Sequence, residues 1–360
     1  LTRLVHLNHA ARDPAARTLR TAGDLASAGL VTPQQAQNLA DVTSAYATAI
    51  TPALASLIDC DAANDPIARQ FVPSRAELDT RPEELPDPIG DKTHEPVEGI
   101  VHRYPDRVLL KAVSVCPVYC RFCFRREMVG PDKDGNLSPA ELTAALAYIR
   151  AHSEIWEVII TGGDPFMLSA RRAAALTREL EVIPHVKVIR WHTRMPVADP
   201  DRITGEFVQA IRSSSKAVYV AVHCNHAQEL SPAARAACAR LIDAGIPLLS
   251  QTVLLKGVND DIETLEQLMR AFVELRIKPY YLHHADLAPG TSHFRTTVEQ
   301  GQDLVRQLRD RVSGLAQPHY VIDIPGGVSK ALASPADVET ESGTTRLRGR
   351  DGLWRDYAGA

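Results

Sequence analysis

Aromatic residues are scarce, at 5% of 360, and neither sign of charge dominates: 40 Lys and Arg against 44 Asp and Glu leave a formal net charge of -4 at pH 7. A nucleic-acid surface would show as a basic excess, so small-molecule chemistry is the better expectation. No uninterrupted apolar stretch approaches the roughly 20 residues that span a bilayer. The opening Leu1-Thr2-Arg3-Leu4-Val5-His6 lacks the apolar core of a secretion signal. The expectation is a cytoplasmic protein with neither a membrane nor a nucleic acid as partner. Cysteine is also sparse, six in all, and without a secretion signal such residues serve as thiols or metal ligands rather than disulfides. The rest is ordinary: 45% hydrophobic and 23% charged residues allow one large core or an α/β barrel with added segments.

Along the chain the texture changes once. Residues 1–98 carry helix-like apolar spacing, with one helix expected over 34–50 behind the Thr32-Pro33 start signal, and then a proline-rich linker over 81–96. From Arg107 short apolar runs alternate with longer amphipathic ones, as in repeated βα units. Strands are expected at 108–115, 158–161, 187–191, 217–223, 247–253 and 279–283. Helices follow them at 139–152, 170–181, 205–212, 232–244, 262–276 and 298–315. Six such units fit a partial (β/α)6-type parallel barrel better than a closed eightfold one, with a further strand at 320–324. A polar tail should end in a hairpin around Asp351-Gly352. The expected divisions are 1–98 (helical extension and linker), 99–325 (barrel) and 326–360 (a loop carrying Lys330, then the tail).

Cys116, Cys120 and Cys123 stand together directly after the first barrel strand, where barrel active sites lie. Three thiolates on one loop can bind three irons of a cubane cluster and leave the fourth open. The alternatives are a structural zinc site, which usually recruits a fourth Cys or His, and buried free thiols. Cys60, Cys224 and Cys238 stand alone and read as ordinary buried thiols. The spacing, with the aromatic Phe122 before the last cysteine, resembles the signature of the radical S-adenosylmethionine superfamily. Thr161-Gly162-Gly163-Asp164-Pro165 follows the second strand. Glycines there let a ligand approach the backbone, and carbonyls with a carboxylate can receive an ammonium group. The resemblance implies a [4Fe–4S] cluster on the three cysteines. It places Gly162, Gly163, Asp164 and Phe122 around S-adenosylmethionine.

From His102 to Lys330 the chain further resembles lysine 2,3-aminomutases. The matches run through His102-Arg103-Tyr104-Pro105-Asp106-Arg107, Cys123-Phe124-Arg125-Arg126 and Val222-His223-Cys224-Asn225-His226. They continue through Gln251 to Asp260, Lys278-Pro279-Tyr280-Tyr281, Asp286-Leu287, His293-Phe294-Arg295-Thr296 and Asp323-Ile324-Pro325-Gly326-Gly327-Val328-Ser329-Lys330. The resemblance implies that Lys330 carries pyridoxal phosphate, with Arg103 and Arg107 near its phosphate and Tyr104 and Gln251 in the same pocket. Arg125 would meet the substrate carboxylate, and Asp286 and Asp323 the distant ε-ammonium group of lysine. Alone, each has a plainer reading: a surface lysine, a helix-face arginine, a turn cap, a strand end. His223, Asn225 and His226 receive no acid-base role. The sequence departs from the family at Trp191-His192, Cys224 and Val328-Ser329.

The activity implied is that of an isomerase moving the amino group of L-lysine from C2 to C3, giving β-lysine. An electron would come from a flavodoxin- or ferredoxin-type donor, and S-adenosylmethionine would yield the 5′-deoxyadenosyl radical and then be re-formed. The competing readings are the branch that acts on lysine for elongation factor P, glutamate or arginine as substrate, and a noncatalytic iron-sulfur scaffold. The family's longer C-terminal region with further metal-binding cysteines finds no match, so a homo-oligomer is left open.

Overall fold

The computed structural model describes residues 17–59, 64–130, 135–213, 215–341, 344–349 and 351–357. Cys60 and the opening residues lie outside the described residues. The runs richest in Val, Ile and Leu form a nine-stranded sheet: β1 (Ile100–Tyr104), β2 (Arg107–Val113), β3 (Glu157–Gly162), β4 (Val188–Thr193), β5 (Ala217–His223), β6 (Leu248–Leu254), β7 (Ile277–His284), β8 (His319–Asp323) and β9 (Lys330–Leu332). Neighbours in sequence are neighbours in the sheet. Strands β2 to β8 are parallel throughout. Parallel strands are covered on both faces, which is why they read as continuous apolar runs. The helices Pro139–Ala151, Ala170–Glu181, Gly205–Ile211, Pro232–Asp243, Ile262–Glu274 and Val298–Arg311 alternate with them. Thus the six expected βα units form, and the sheet curls into an open half-barrel.

The helices start where side chains can satisfy their first amides. Ser138, Ser169, Thr204, Ser231, Asp261 and Thr297 each accept a hydrogen bond from the backbone N–H of the first turn. Between helices and sheet lies one large core, including Ile160, Trp191, Val220, Leu241, Leu268 and Phe272. Each such side chain contributes on the order of 1.5–3 kcal/mol on burial.

Three expectations needed correction. The barrel's edges are closed by antiparallel strands, β1 on β2 and β9 on β8, so Lys330 opens a strand rather than sitting in a loop. The helix expected over 34–50 is two short ones, Pro33–Asn38 and Ala40–Ala45. Tertiary contacts capture the rest: the Ala49 carbonyl accepts from the Tyr119 N–H, Ile50 bridges to Leu19, and the Arg126 guanidinium lies 3.5 Å from the Tyr46 ring centre. The last helix ends at Arg311, before a short 3-10 turn at Gly314–Ala316. The hairpin expected at Asp351-Gly352 does form, joining β11 (Thr344–Arg348) to β12 (Trp354–Tyr357), and a third strand, β10 (Val338–Glu341), extends it. Cys224 and Cys238 are buried as expected. Among the described residues no helix is long and apolar enough to cross a membrane.

The N-terminal segment packs its own cluster, including Leu25, Ile50, Leu54 and Phe71, against Val118 and Ala198 of the barrel. Polar contacts then tie it to the cysteine loop. Glu77, with no exposed surface, accepts from Arg121 Nε at 3.0 Å and Nη2 at 2.6 Å, and pairs with Arg126 as well. Arg126 also donates to the carbonyls of Pro289 and Gly290, in the loop after β7. One carboxylate therefore joins the N-terminal segment, the cysteine loop and, through Arg126, the β7 loop. Removing one member of a buried ion network leaves uncompensated charge. Glu77→Ala should lose roughly 3–5 kcal/mol of stability, read as a lower denaturant midpoint, whereas an unchanged midpoint would show that the triad does not hold these segments.

Candidate active site

The half-barrel encloses a cavity of about 540 Å³ that runs along its strands, and whose lining includes Arg103, Tyr104, Arg107, Arg125, Gln251, Asp286, Asp323 and Lys330. Residues far apart in sequence thus converge. Asp323 and Lys330 are opposite each other in the β8–β9 ladder, so their side chains share a face. Lys330 Nζ donates to both carboxylate oxygens of Asp323, at 2.6 and 2.5 Å. The Lys330 backbone N–H donates to the Tyr104 hydroxyl at 2.9 Å, so Tyr104 fixes the strand that bears the lysine. The Gly326-Gly327 turn before it has φ of 81° at both residues, and a side chain on Gly327 would strike the Ile89 carbonyl.

Arg125 is buried and cannot wander, because its Nε donates to Asp91 at 2.7 Å and its Nη1 to the Thr161 hydroxyl at 3.3 Å. Asp91, itself without exposed surface, also pairs with Arg103 at 3.4 Å. Burial works against ionisation of Asp91, but Arg125, Lys111 and Arg103 outweigh it and hold the carboxyl below its ordinary range. Arg103 lies 3.8 Å from Asp323, and its buried Nε has no hydrogen-bond partner among the described residues. Arg107 is nearer the rim, paired with Asp106 at 2.6 Å and lying over the Tyr104 ring.

The two predicted carboxylates differ. Burial would raise Asp323, but the hydrogen bond with His283 and the Lys330 ammonium prevail and hold it well below the usual carboxylate range. Asp286 is pushed up to about 7, first by burial and then by the negative charge of Asp323. His192 and His223, with ring centres 6.0 Å apart, both line the cavity. Burial lowers both, His223 to about 3, so at neutral pH they are uncharged imidazoles.

The cysteine loop lies beside this cavity rather than in its wall. Burial pushes all three thiols up, Cys123 to about 11, and iron would draw off those protons on binding. Their spacing, their mutual proximity and the nearby Arg121, Arg126 and Arg194 suit an anionic cubane. Among the described residues no three His, Cys, Asp or Glu side chains converge on one metal ion.

Two expectations change in detail. A side chain on Gly162 would strike the Val113 carbonyl, and one on Gly163 the Val115 carbonyl. These glycines are thus needed first for packing β3 against the strand that leads into the cysteine loop. Asp164 was expected to help receive an ammonium group, but its carboxylate accepts from the Thr193 hydroxyl and the Arg194 N–H, both at 2.7 Å, and from the Phe166 N–H at 3.0 Å. It ties the end of β3 to the end of β4. Phe122 packs edge-on against Phe294. Sequence reasoning missed Asp91 and His192. Asp91 sits in the proline-rich linker without periodicity, and only the excess of arginines awaiting a counter-charge could have pointed to it.

The family profile described as the Radical SAM superfamily matches residues 111–269, from β2 into the helix after β6. Half-barrel and cysteine loop are therefore those of a radical S-adenosylmethionine enzyme, a class that works through a [4Fe–4S] cluster. The chain is 36% identical to L-lysine 2,3-aminomutase of Clostridium subterminale, over 91% of this chain and 79% of the relative. It is 38% identical to the enzyme of the same name from Fusobacterium nucleatum, over 82% and 69%. Against glutamate 2,3-aminomutase of Clostridioides difficile it is 35% identical, over 85% and 72%. The chain belongs to the lysine 2,3-aminomutase family of radical S-adenosylmethionine enzymes, which are isomerases.

The raised Asp286 carboxyl has a measurable consequence. Its folded value, about 7, lies above its ordinary 3.8, so the folded state binds the extra proton and this group's contribution to stability falls as pH rises between those values. Infrared difference spectra should show a buried carboxyl titrating near pH 7 that is missing in Asp286→Asn. A parent spectrum with no carboxyl titrating above pH 5 would contradict the assignment.

Proposed function

We propose that the protein converts L-lysine to β-lysine, using pyridoxal phosphate together with the cluster and S-adenosylmethionine. The observation that carries this reading is the Lys330 ammonium seated on Asp323 with Asp286 alongside. A carboxylate that accepts one primary ammonium can accept another, and a second carboxyl nearby adds attraction for a cation and repulsion for a side-chain carboxylate. Family membership includes glutamate-acting relatives; the acidic end of this cavity favours lysine.

The other groups find roles consistent with their surroundings. Lys330, on the cavity wall, would hold the coenzyme. The unpaired Nε of Arg103, with Arg107 near it, suits the coenzyme phosphate, since guanidinium geometry matches phosphate oxygens. Tyr104 and Gln251, which also line the cavity, would contact the coenzyme as well. Arg125, locked by Asp91 and Thr161, presents a fixed cation for the substrate α-carboxylate two residues from Cys123. Gly162, Gly163, Asp164 and Phe122 shape the wall beside the cysteine loop, where S-adenosylmethionine would meet the cluster on Cys116, Cys120 and Cys123.

When bound, these cofactors supply hydrogen abstraction from substrate C3 and a carbonyl carbon that carries the migrating nitrogen. The chain's own part is to hold both ends of lysine by charge, so that C3 faces the radical source, and to exclude water around it. A flavodoxin- or ferredoxin-type protein would deliver the electron, in a cytoplasmic setting.

Under anaerobic, reduced conditions the loaded protein should turn lysine, offered alongside glutamate, arginine and ornithine, into its β-isomer, detected by chromatography and mass. Turnover of glutamate but not lysine would refute the substrate. Asp286→Asn and Asp323→Asn should each lower kcat/KM for lysine at least tenfold, about 1.4 kcal/mol, while iron content stays at the parent level. Borohydride reduction with pyridoxal phosphate, then peptide mapping, should place the adduct on Lys330; labelling elsewhere would refute that role.

A further inference from the structure

Arg194, the residue after β4, is a buried cation that reaches the cysteine loop. Its Nη1 donates to the sulfur of Cys120 at 3.4 Å. Its Nη2 donates to Glu229 at 2.5 Å and to the Gln70 carbonyl oxygen at 2.7 Å, and its backbone N–H to Asp164. The Phe71 and Phe122 rings flank it, with centres 4.7 and 5.5 Å away. Glu229 is fixed in turn, accepting through its other oxygen from the backbone N–H groups of Asn225 and His226, both at 2.9 Å. Glu229, Gln70 and the two rings thus hold one guanidinium N–H against one sulfur.

We infer that Arg194 raises the reduction potential of the cluster by donating a charge-assisted hydrogen bond to the Cys120 sulfur. This rests on the reading that Cys116, Cys120 and Cys123 hold a [4Fe–4S] cluster. One electron passes from the reduced donor protein to the cluster, taking it from the 2+ to the 1+ state, with no bond made or broken. The added negative charge spreads onto the sulfurs, including that of Cys120. A fixed donor in a low-dielectric site stabilises the reduced cluster more than the oxidised one. Glu229 offsets part of the positive charge from the far side of the guanidinium, but the N–H at the sulfur remains the nearer partner. Were Arg194 only a counter-ion for Glu229, a lysine in its place would leave the potential unchanged.

The test is a redox titration of the anaerobically reconstituted full chain, followed by electron paramagnetic resonance, with iron and sulfide measured on each sample. Arg194→Lys keeps a cation for Glu229 but lacks the fork that serves carboxylate and sulfur together. The pair Arg194→Met with Glu229→Gln removes both charges, so no buried acid is stranded. Both should hold a full cluster with a midpoint more negative than the parent's, the double variant more so. Full clusters with an unchanged or less negative midpoint would overturn the inference. Loss of the cluster from both variants would also overturn it, since Arg194 would then serve assembly instead. A parent chain that reconstitutes no cluster would instead overturn the underlying reading.

Discussion

The cavity depends on a carboxylate that touches no solvent. Asp91 stands between Arg125 and Arg103, two cations that would otherwise repel each other where the dielectric is low. Burying such a group is costly, and only good geometry with several partners offsets the loss of water. The arrangement recurs around the barrel mouth. Glu77 gathers Arg121 and Arg126, and Glu229 gathers Arg194, and like Asp91 both are without exposed surface. Asp91 fixes arginines that line the cavity, Glu229 one that reaches Cys120, and Glu77 two that belong to the cysteine loop itself. Two of the three acids come from the segment before the barrel, so that segment is part of the site's construction.

Packing and polarity divide the work at the strand ends. Gly162 and Gly163 let β3 approach the backbone that leads into the cysteines, and Asp164 bolts the ends of β3 and β4 together. Groups around the cavity can then keep unbalanced charge, because the scaffold beneath them is already satisfied. Neutral His192 and His223 add polarity to the wall without adding to its positive charge.

The barrel was legible in the sequence because parallel strands buried on both faces leave continuous apolar runs, and their helices begin at Ser, Thr or Asp caps. Lys330, Asp323, Asp286 and Arg125 were legible through motif resemblance and do meet in one cavity. The edge strands were not: β9 is three residues long, too short for any period to show. Residues 46–50 carry helical spacing, yet they are drawn out by contacts with Tyr119, Leu19 and Arg126 that no local window contains. Asp91, Glu77 and Arg194 escaped for the same reason, since a buried ion pair is a property of two distant positions.

The ladder between β8 and β9 has a consequence for what this turn can tolerate. Side chains alternate faces along a strand, so shifting the pairing by one residue would swing Lys330 out of the cavity and bring Ala331 inward. The stretch from Ile324 to Ser329 is therefore constrained in length as well as at its two glycines. Residues such as Val328, 70% exposed, are free to drift, while a single insertion or deletion there would disconnect the lysine from its carboxylate without altering either residue.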